Sequence, residues 1–270
     1  MRRLTLVTGL ALVALLVVAA VLSLGWTPHD PTLVQAGQRL QPPSWSHWLG
    51  TDRMGIDLVS RLMTGARSTL LVGVAAVLLA AAVGVPLGIW AGMSRGLAAD
   101  LVLRAGDVLL ALPALLLAIL LVAARGGSAA TVTIAIGVAA IPVFLRLANA
   151  ATRGVMALDY IDAARMAGIS RAAIARRHVL PNIAPLLGVQ ASASFSVAIL
   201  AEAGLSYLGL GAPAGSPTWG RMMRDGQADL FLTPWPALIP GLAVALAVLG
   251  FNLLGDGLRD QLDPRLREWR

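Results

Sequence analysis

Residues 160–182, YIDAARMAGISRAAIARRHVLPN, form a short arginine-rich segment between two strongly apolar runs. We expect one short helix up to Gly168, where the chain turns, and a second helix that Ser170 caps and Pro181 ends. Because a segment this basic is costly to place in hydrocarbon, it must lie in water at a membrane surface. The sequence therefore predicts a compact, positively charged pair of helices between two spans, and we call residues 160–182 the elbow.

The rest of the chain has the composition of a membrane protein. Of its 270 residues 57% are hydrophobic and only 13% are charged, roughly half the charged share of a soluble domain. Several apolar runs reach the length of about 20 residues that a helical span requires. They cover residues 4–24, 70–93, 101–124, 129–150, 186–209 and 235–254. We therefore predict an all-α integral membrane protein with six transmembrane helices.

The first apolar run resembles a signal sequence, because Arg2 and Arg3 precede it. No clear small-residue cleavage site follows, and the run is longer than the core of an ordinary signal peptide. We therefore expect an uncleaved first transmembrane helix within residues 1–25.

The arginines predict the orientation, since the chain contains 21 of them and no lysine. With the N-terminus inside and six alternating spans, two thirds of them fall on the inner side, as expected of cytoplasmic segments. Both termini and the elbow are then cytoplasmic, and residues 26–69 and 211–234 face outward. Residues 58–69 are expected to form an amphipathic surface helix with Arg61 and Arg67 snorkelling. The net charge of +7 suits orientation and lipid headgroups rather than nucleic acid.

The sequence carries no recognisable catalytic site. A phosphate-binding P-loop requires a lysine, which the chain lacks. The chain has no cysteine, and its three histidines, His29, His47 and His178, lie outside the predicted spans. An intramembrane hydrolase or metalloprotease is therefore disfavoured. We expect no catalytic residue, no metal ligand and no cofactor on this chain, so another subunit must supply any nucleotide site.

Two polar residues within the spans are candidates for the lining of a transport path. Glu202 lies in the fifth apolar run, where an ionised carboxylate is costly unless it is paired or hydrated. It could contact a transported molecule, but a bond to a neighbouring helix is the preferred interpretation. Asn149 is expected to hydrogen-bond another helix. Asp107 and Arg104, three residues apart, are expected to pair on one helix face.

Several motifs, in order along the chain, resemble those of one family. They are HWLGTDRMGID (47–57), SRL (60–62), GAR (65–67), the elbow, LSYLGLG (205–211), PTWG (217–220), FNLLGDGLRD (251–260) and LDP (262–264). In this order they resemble the membrane subunits of bacterial ABC importers, in the dipeptide, oligopeptide and nickel permease family, and specifically the second, C-type permease. The resemblance covers nearly the whole chain, although Ile56 stands where Arg is usual and Asp162 where Glu is common.

The resemblance implies a type I ABC importer permease fold with cytoplasmic EAA coupling helices. The core permease domain is then residues 70–270, with the EAA loop at 153–185, the outer loop at 211–234 and a cytoplasmic C-terminal tail at 255–270. The positions implied in coupling to an ATPase are Asp162, Ala163, Ala164, Arg165, Gly168, Arg176, Leu180 and Pro181. The implied partners are a second homologous permease, two cytoplasmic ATPases that bind ATP and Mg, and an extracytoplasmic binding protein. The candidate contacts of the binding protein are Asp52, Asp57, Asp225 and Asp229.

The residue types of the elbow suit such a contact. Gly168 allows a turn with positive φ, where a side chain would cost of order 1 kcal/mol. Ala163 and Ala164 leave no bulk, so a partner surface could approach closely there. The arginines can pair with acidic or carbonyl groups on that surface.

Three functions fit the sequence. The first is a permease that imports di- or oligopeptides, and the second is the same machine importing nickel or a metal chelate. The third, a stand-alone channel or secondary carrier, predicts inverted repeats or mid-membrane charge pairs, and neither is evident. It also leaves the elbow unexplained. No His or Cys cluster lines the spans, which mildly disfavours a path for a bare metal ion.

Overall fold

The computed structural model describes residues 2–211, 213 and 215–262, and the described chain is helical. Its α-helices are α1 (Arg2–Leu22), α2 (Leu58–Met93), α3 (Leu97–Ala111), α4 (Ala114–Arg125), α5 (Ala129–Met156), α6 (Asp159–Met166), α7 (Arg171–Ile174), α8 (Leu180–Tyr207), α9 (Trp219–Gln227) and α10 (Trp235–Leu262). A 3₁₀ turn covers Ala36–Gln38, and a π-helical turn, Ala175–Val179, joins α7 to α8. The prediction of an all-α protein is confirmed.

Five helical segments are long and apolar enough to cross a membrane: α1, α2, α5, the joined α7 and α8, and α10. A sixth crossing exists if α3 and α4 are counted as one span, but the two helices meet at 90°. The prediction of a single uninterrupted span over residues 101–124 was therefore wrong. Pro113 explains the bend, because proline lacks an amide hydrogen and disfavours helical geometry in the residue before it. Leu112 is accordingly extended, with φ −89° and ψ 132°.

The second span begins earlier than the sequence suggested. Asp57 caps α2 by accepting a hydrogen bond from the Ser60 amide at 2.8 Å, and the helix then runs unbroken for 36 residues. The prediction of a separate surface helix over residues 58–69 was wrong, because no break divides it from the span. Arg61 is 4% exposed and does not snorkel, whereas Arg67 is exposed.

Close packing of α2 against α5 forms the centre of the bundle. A Cβ atom on Gly84 would lie 2.7 Å from the Ile141 carbonyl oxygen, and one on Gly88 would lie 2.5 Å from that of Leu145. Only glycine permits this approach, which is the usual way in which membrane helices gain contact without a hydrophobic driving force. Phe144 of α5 is fully buried beside them.

Polar contacts fasten two further helix pairs. Ser192 of α8 donates to the Phe251 carbonyl of α10 at 2.6 Å, and the ring of Phe251 stacks on Phe195 at 4.2 Å. Asp107 of α3 accepts two hydrogen bonds from Arg146 of α5, at 2.6 and 3.0 Å. The prediction that Asp107 pairs with Arg104 was wrong, because the neighbouring helix offers a guanidinium in a better position.

The elbow and the segment between α1 and α2 lie at opposite ends of the bundle. The first turns of α2 contact α9, where the Trp219 ring nitrogen donates to the Leu62 carbonyl at 2.9 Å. The last turns of α2, near Trp90, instead line a cleft shared with Arg171 and Leu180. The outer loop predicted at 211–234 thus contains a helix, α9. Of the tail predicted at 255–270, α10 extends to Leu262, and residues 263–270 lie outside the described chain.

Candidate functional site

The first helix of the elbow, α6, ends at a glycine turn. Gly168 has φ +76°, and its amide donates to the Arg165 carbonyl at 3.0 Å. The Ile169 amide reaches the Ala164 carbonyl at 3.1 Å, which completes a Schellman cap. Among the described residues no atom lies within 4 Å of where a Cβ on Gly168 would stand. Backbone strain, and not crowding inside the chain, is therefore the reason for glycine here.

The second helix of the elbow continues directly into a membrane span. The Ser170 hydroxyl accepts from the Ala173 amide at 3.3 Å and caps α7, as the sequence predicted. From there α7, the π turn and α8 form one helical segment of 37 residues, Arg171–Tyr207. The second half of the elbow is therefore the beginning of the fifth span and not a loop between two spans.

The prediction that Pro181 ends this helix was wrong. The Leu180 amide donates to the Ala175 carbonyl, five residues back instead of four. This π-type bond shifts the hydrogen-bond register in the turn just before the proline. Pro181 then falls in the first turn of α8, a position that tolerates a missing amide hydrogen.

One face of the elbow is anchored in the hydrophobic core. Ile161 of α6, Ile174 of α7 and Val179 of the π turn are each at most 1% exposed. The Asn182 side chain donates to the Tyr160 hydroxyl at 3.2 Å, which ties α6 to the start of α8. The two elbow helices are therefore fixed both to each other and to the span.

The opposite face of the elbow is exposed. Asp162 and Arg165 pair there at 2.8 Å, and Met166 is 84% exposed, an apolar surface residue that the sequence analysis overlooked. The exposed candidate positions are Asp162, Ala163, Arg165, Gly168, Arg176, Leu180 and Pro181. Ala164 is only 8% exposed and packs inward. Its role as a contact position stays a prediction, although its inward-facing side chain leaves little surface for a partner.

A cavity of about 280 Å³ lies at mid-height between α2, α4, α5 and α8. Its walls are small and apolar except for Gln190 and Ser194 of α8, whose side chains bond each other at 3.1 Å. This pair was not predicted from the sequence. Its spacing of four residues on one face of an otherwise apolar helix was the available signal.

Glu202 and Asn149 are absent from the described lining of this cavity. Glu202 is 2% exposed and accepts from Ser206 at 2.8 Å and from Thr69 of α2 at 3.2 Å. It therefore joins α8 to α2, in line with the preferred interpretation. Asn149 is 8% exposed, and its Nδ2 has no partner among the described residues. The expected hydrogen bond to another helix is therefore not made by Nδ2 within the described chain, and it stays a prediction.

A network of buried charges holds the opposite end of the bundle. Asp52 accepts from the Ile56 amide at 3.0 Å and pairs with Arg61 of α2. The second Arg61 nitrogen lies 3.5 Å from Asp225 of α9. One guanidinium thus joins the interhelical segment, α2 and α9.

Most of the aspartates at this end of the bundle expose little surface to a docking partner. Asp57 and Asp229 are 3% and 8% exposed, and Asp52 is 5% exposed. Asp229 lies 3.6 Å from Arg53. Asp52, Asp57 and Asp229 therefore offer little surface to a binding protein, whereas Asp225, whose side chain is 27% exposed beside Arg61, stays a candidate contact.

Comparison with known proteins identifies the family. Residues 84–268 match the family described as the inner membrane component of binding-protein-dependent transport systems. The chain belongs to this family, so it is a multi-pass transport permease of the inner membrane. The family membership and fold predicted from the motifs are thereby confirmed.

Named relatives extend the match over most of the chain. The chain is 41% identical over 266 residues to the di/tripeptide transport system permease protein DppC of Pseudomonas aeruginosa (strain UCBPP-PA14), which covers 96% of this chain and 88% of that protein. It is 41% identical over 225 residues to the glutathione transport system permease protein GsiD of Pectobacterium atrosepticum, covering 83% and 75%. It is 39% identical over 262 residues to the dipeptide transport system permease protein DppC of Alkalihalophilus pseudofirmus, covering 97% and 86%.

The charge network predicts unequal effects for two arginines. Arg61→Ala leaves the buried Asp52 carboxylate without its cation, so we expect a loss of about 3–5 kcal/mol in the free energy of unfolding. Arg53→Ala is the control, because the Arg53 side chain is 54% exposed and its pair should contribute less than about 1 kcal/mol. Tryptophan fluorescence during denaturation of the purified chain measures both, and equal losses would contradict the assigned role of Arg61.

Proposed function

We propose that this chain is the membrane-spanning permease of an ATP-driven importer of di- or oligopeptides. It would form the translocation path with a second homologous permease. Two cytoplasmic ATPases would bind and hydrolyse ATP with Mg, and an extracytoplasmic binding protein would deliver the substrate. The relatives reported above are named for di/tripeptide, dipeptide and glutathione systems. We therefore favour a peptide over nickel, and a subunit of such a machine over a stand-alone carrier.

The proposed orientation follows the distribution of arginines. The elbow and both chain termini would lie in the cytoplasm, and the segment between α1 and α2 would face outward together with α9. This arrangement puts the exposed face of the elbow within reach of a cytoplasmic ATPase.

The main observation in support of the proposal is that the second helix of the elbow continues without a break into α8. The exposed, charged face of the elbow continues into one helical segment, Arg171–Tyr207. Ile174 and Val179 of that segment are buried and hold its first turns against the bundle. At 1.5 Å per residue its 37 residues extend over about 55 Å, enough to cross the hydrocarbon core. A displacement of the elbow by an ATPase would therefore move the whole of α8.

Movement of α8 would change the path directly. The mid-height cavity takes much of its wall from α8, including its polar pair, Gln190 and Ser194. These side chains could hydrogen-bond a peptide backbone, while the small apolar walls offer no tight subsite. A path that binds weakly suits transport, because a substrate held tightly would not be released.

Substitution of Gly168 tests the coupling surface. Asparagine tolerates positive φ, so Gly168→Asn adds bulk to the exposed turn with little backbone strain. We expect normal membrane insertion but peptide uptake lowered by about tenfold or more, equivalent to about 1.4 kcal/mol of docking free energy. Uptake of a labelled dipeptide by cells expressing the complete importer measures the effect.

Ala98→Asn is the matched control for that experiment. Ala98 is exposed in the first turn of α3, at the same end of the bundle but outside the elbow, and its helical backbone accepts asparagine without positive φ. We expect uptake close to wild type. Wild-type uptake by Gly168→Asn, or equal losses in both variants, would refute the assignment of the elbow as the coupling surface.

Cysteine labelling tests the path, because the chain has no native cysteine. Val197 and Leu200 are 61% and 60% exposed on the same helix, but of the two only Val197 lines the cavity. In the assembled importer we expect Val197→Cys to react with a polar methanethiosulfonate reagent, and added peptide to slow that reaction. Leu200→Cys should show no effect of peptide. Identical behaviour of the two cysteines would exclude the cavity as part of the path.

A further inference from the structure

Two histidines and one aspartate converge in the segment between α1 and α2. His47 Nδ1 lies 3.0 Å from Asp57 Oδ1, and His29 Nδ1 lies 3.7 Å from the same oxygen. One ligand atom from each residue falls within 4.8 Å of the others. The family assignment and the proposed transport mechanism give this cluster no role.

One neutral tautomer of His47 turns a lone pair towards the carboxylate. His47 Nε2 lies 2.8 Å from the Gln38 side-chain oxygen, which accepts hydrogen bonds. In the tautomer that donates from Nε2 to Gln38, Nδ1 is an acceptor. An acceptor nitrogen and a carboxylate oxygen repel each other at 3.0 Å, and a cation bound between them removes the repulsion.

His29 supplies a further unsatisfied donor atom. Its Nδ1 is buried and has no hydrogen-bond partner in the described chain, whereas its side chain is 36% exposed at the outer edge. The His29 amide donates to the Ser60 hydroxyl at 2.9 Å, which holds the residue beside Asp57. A buried nitrogen without a partner is unusual, and a bound ion would satisfy it.

Asp57 is oriented so that one oxygen remains available. Its Oδ2 accepts hydrogen bonds from the Ser60 amide and the Ser60 hydroxyl, both at 2.8 Å. Its Oδ1 points to the two imidazoles. Outer hydrogen bonds of this kind, together with that of Gln38 to His47, orient the ligands in protein metal sites.

We propose that His29, His47 and Asp57 bind one divalent transition-metal ion of the zinc class. The two histidine–aspartate separations, 3.0 and 3.7 Å, bracket the edge of about 3.3 Å in a tetrahedron with bonds of about 2.0 Å, and the separation between the two histidine donors is within 4.8 Å. Two imidazoles favour zinc, copper or nickel over calcium or magnesium, which prefer oxygen ligands. Water occupies the fourth position, on the exposed side of His29.

The ion is a resident structural ligand and not a transported substrate. Asp57 caps α2, and Ser60 belongs to its first turn. A metal bound to Asp57 therefore fastens the segment that carries His29 and His47 onto the start of the second span.

Cobalt(II) is the probe for this site, because a four-coordinate Co²⁺ ion absorbs visible light. The full-length chain, without a polyhistidine tag and in the membrane complex in which it is expressed, is titrated with Co²⁺ and then with Zn²⁺. We expect one Co²⁺ per chain with a four-coordinate absorption band, and displacement by Zn²⁺. Gln38→Leu should weaken Co²⁺ binding by about 10- to 100-fold, the usual cost of losing an orienting partner.

The three histidines of the chain provide a matched pair of variants. His29→Ala removes a ligand but leaves the Asp57 cap of α2 intact, and we expect loss of the four-coordinate band. His178→Ala, in the elbow at the far end of the bundle, should bind Co²⁺ like the wild type. Unchanged binding by His29→Ala, equal loss in both variants, or no band from the wild type would overturn the proposal.

Discussion

One shifted hydrogen bond determines how the elbow is joined to the membrane bundle. Hydrocarbon contains no water to satisfy backbone groups, so a helix that enters it must keep its hydrogen bonds within the chain. Pro181 has no amide hydrogen to donate, and the bond from the Leu180 amide to the Ala175 carbonyl keeps the helix continuous just before it. The second half of the polar elbow and the apolar span are consequently parts of one continuous helical segment, Arg171–Tyr207.

The far end of that segment is fastened to α2 by a buried carboxylate. Glu202 accepts from Thr69 on α2 and from Ser206 on its own helix. A buried carboxylate is retained only where hydrogen bonds offset its lost hydration. Near the start of α2, Arg61 pairs with Asp52 and lies close to Asp225 of α9. The bundle is therefore cross-linked by buried polar contacts at this end and has its exposed, charged elbow face at the other.

Local signals predicted most of the fold, and tertiary contacts decided what they missed. Apolar length located the spans, and the cap of Ser170 and the turn at Gly168 follow from residue chemistry within a few positions. Pro113 and Pro181 are both exposed, yet the chain bends by 90° at Pro113, whereas a π turn keeps the helix continuous at Pro181. Arg61 was expected at the surface because its pairs with Asp52 and with Asp225 of α9 depend on how the interhelical segment and α9 fold against α2. Pairwise geometry of this kind leaves no local pattern to recognise.

The small residues of the elbow illustrate why a motif alone does not define a contact surface. Ala163 and Ala164 are adjacent and chemically identical, but a helix turns successive side chains by about 100°. Ala163 is exposed, while Ala164 packs inward beside Ile161. A larger residue at Ala164 would disturb the core of this chain, whereas one at Ala163 would protrude from its surface. A run of small residues is therefore not one uniform surface, because the structure gives Ala164 a packing role within the chain and leaves Ala163 exposed.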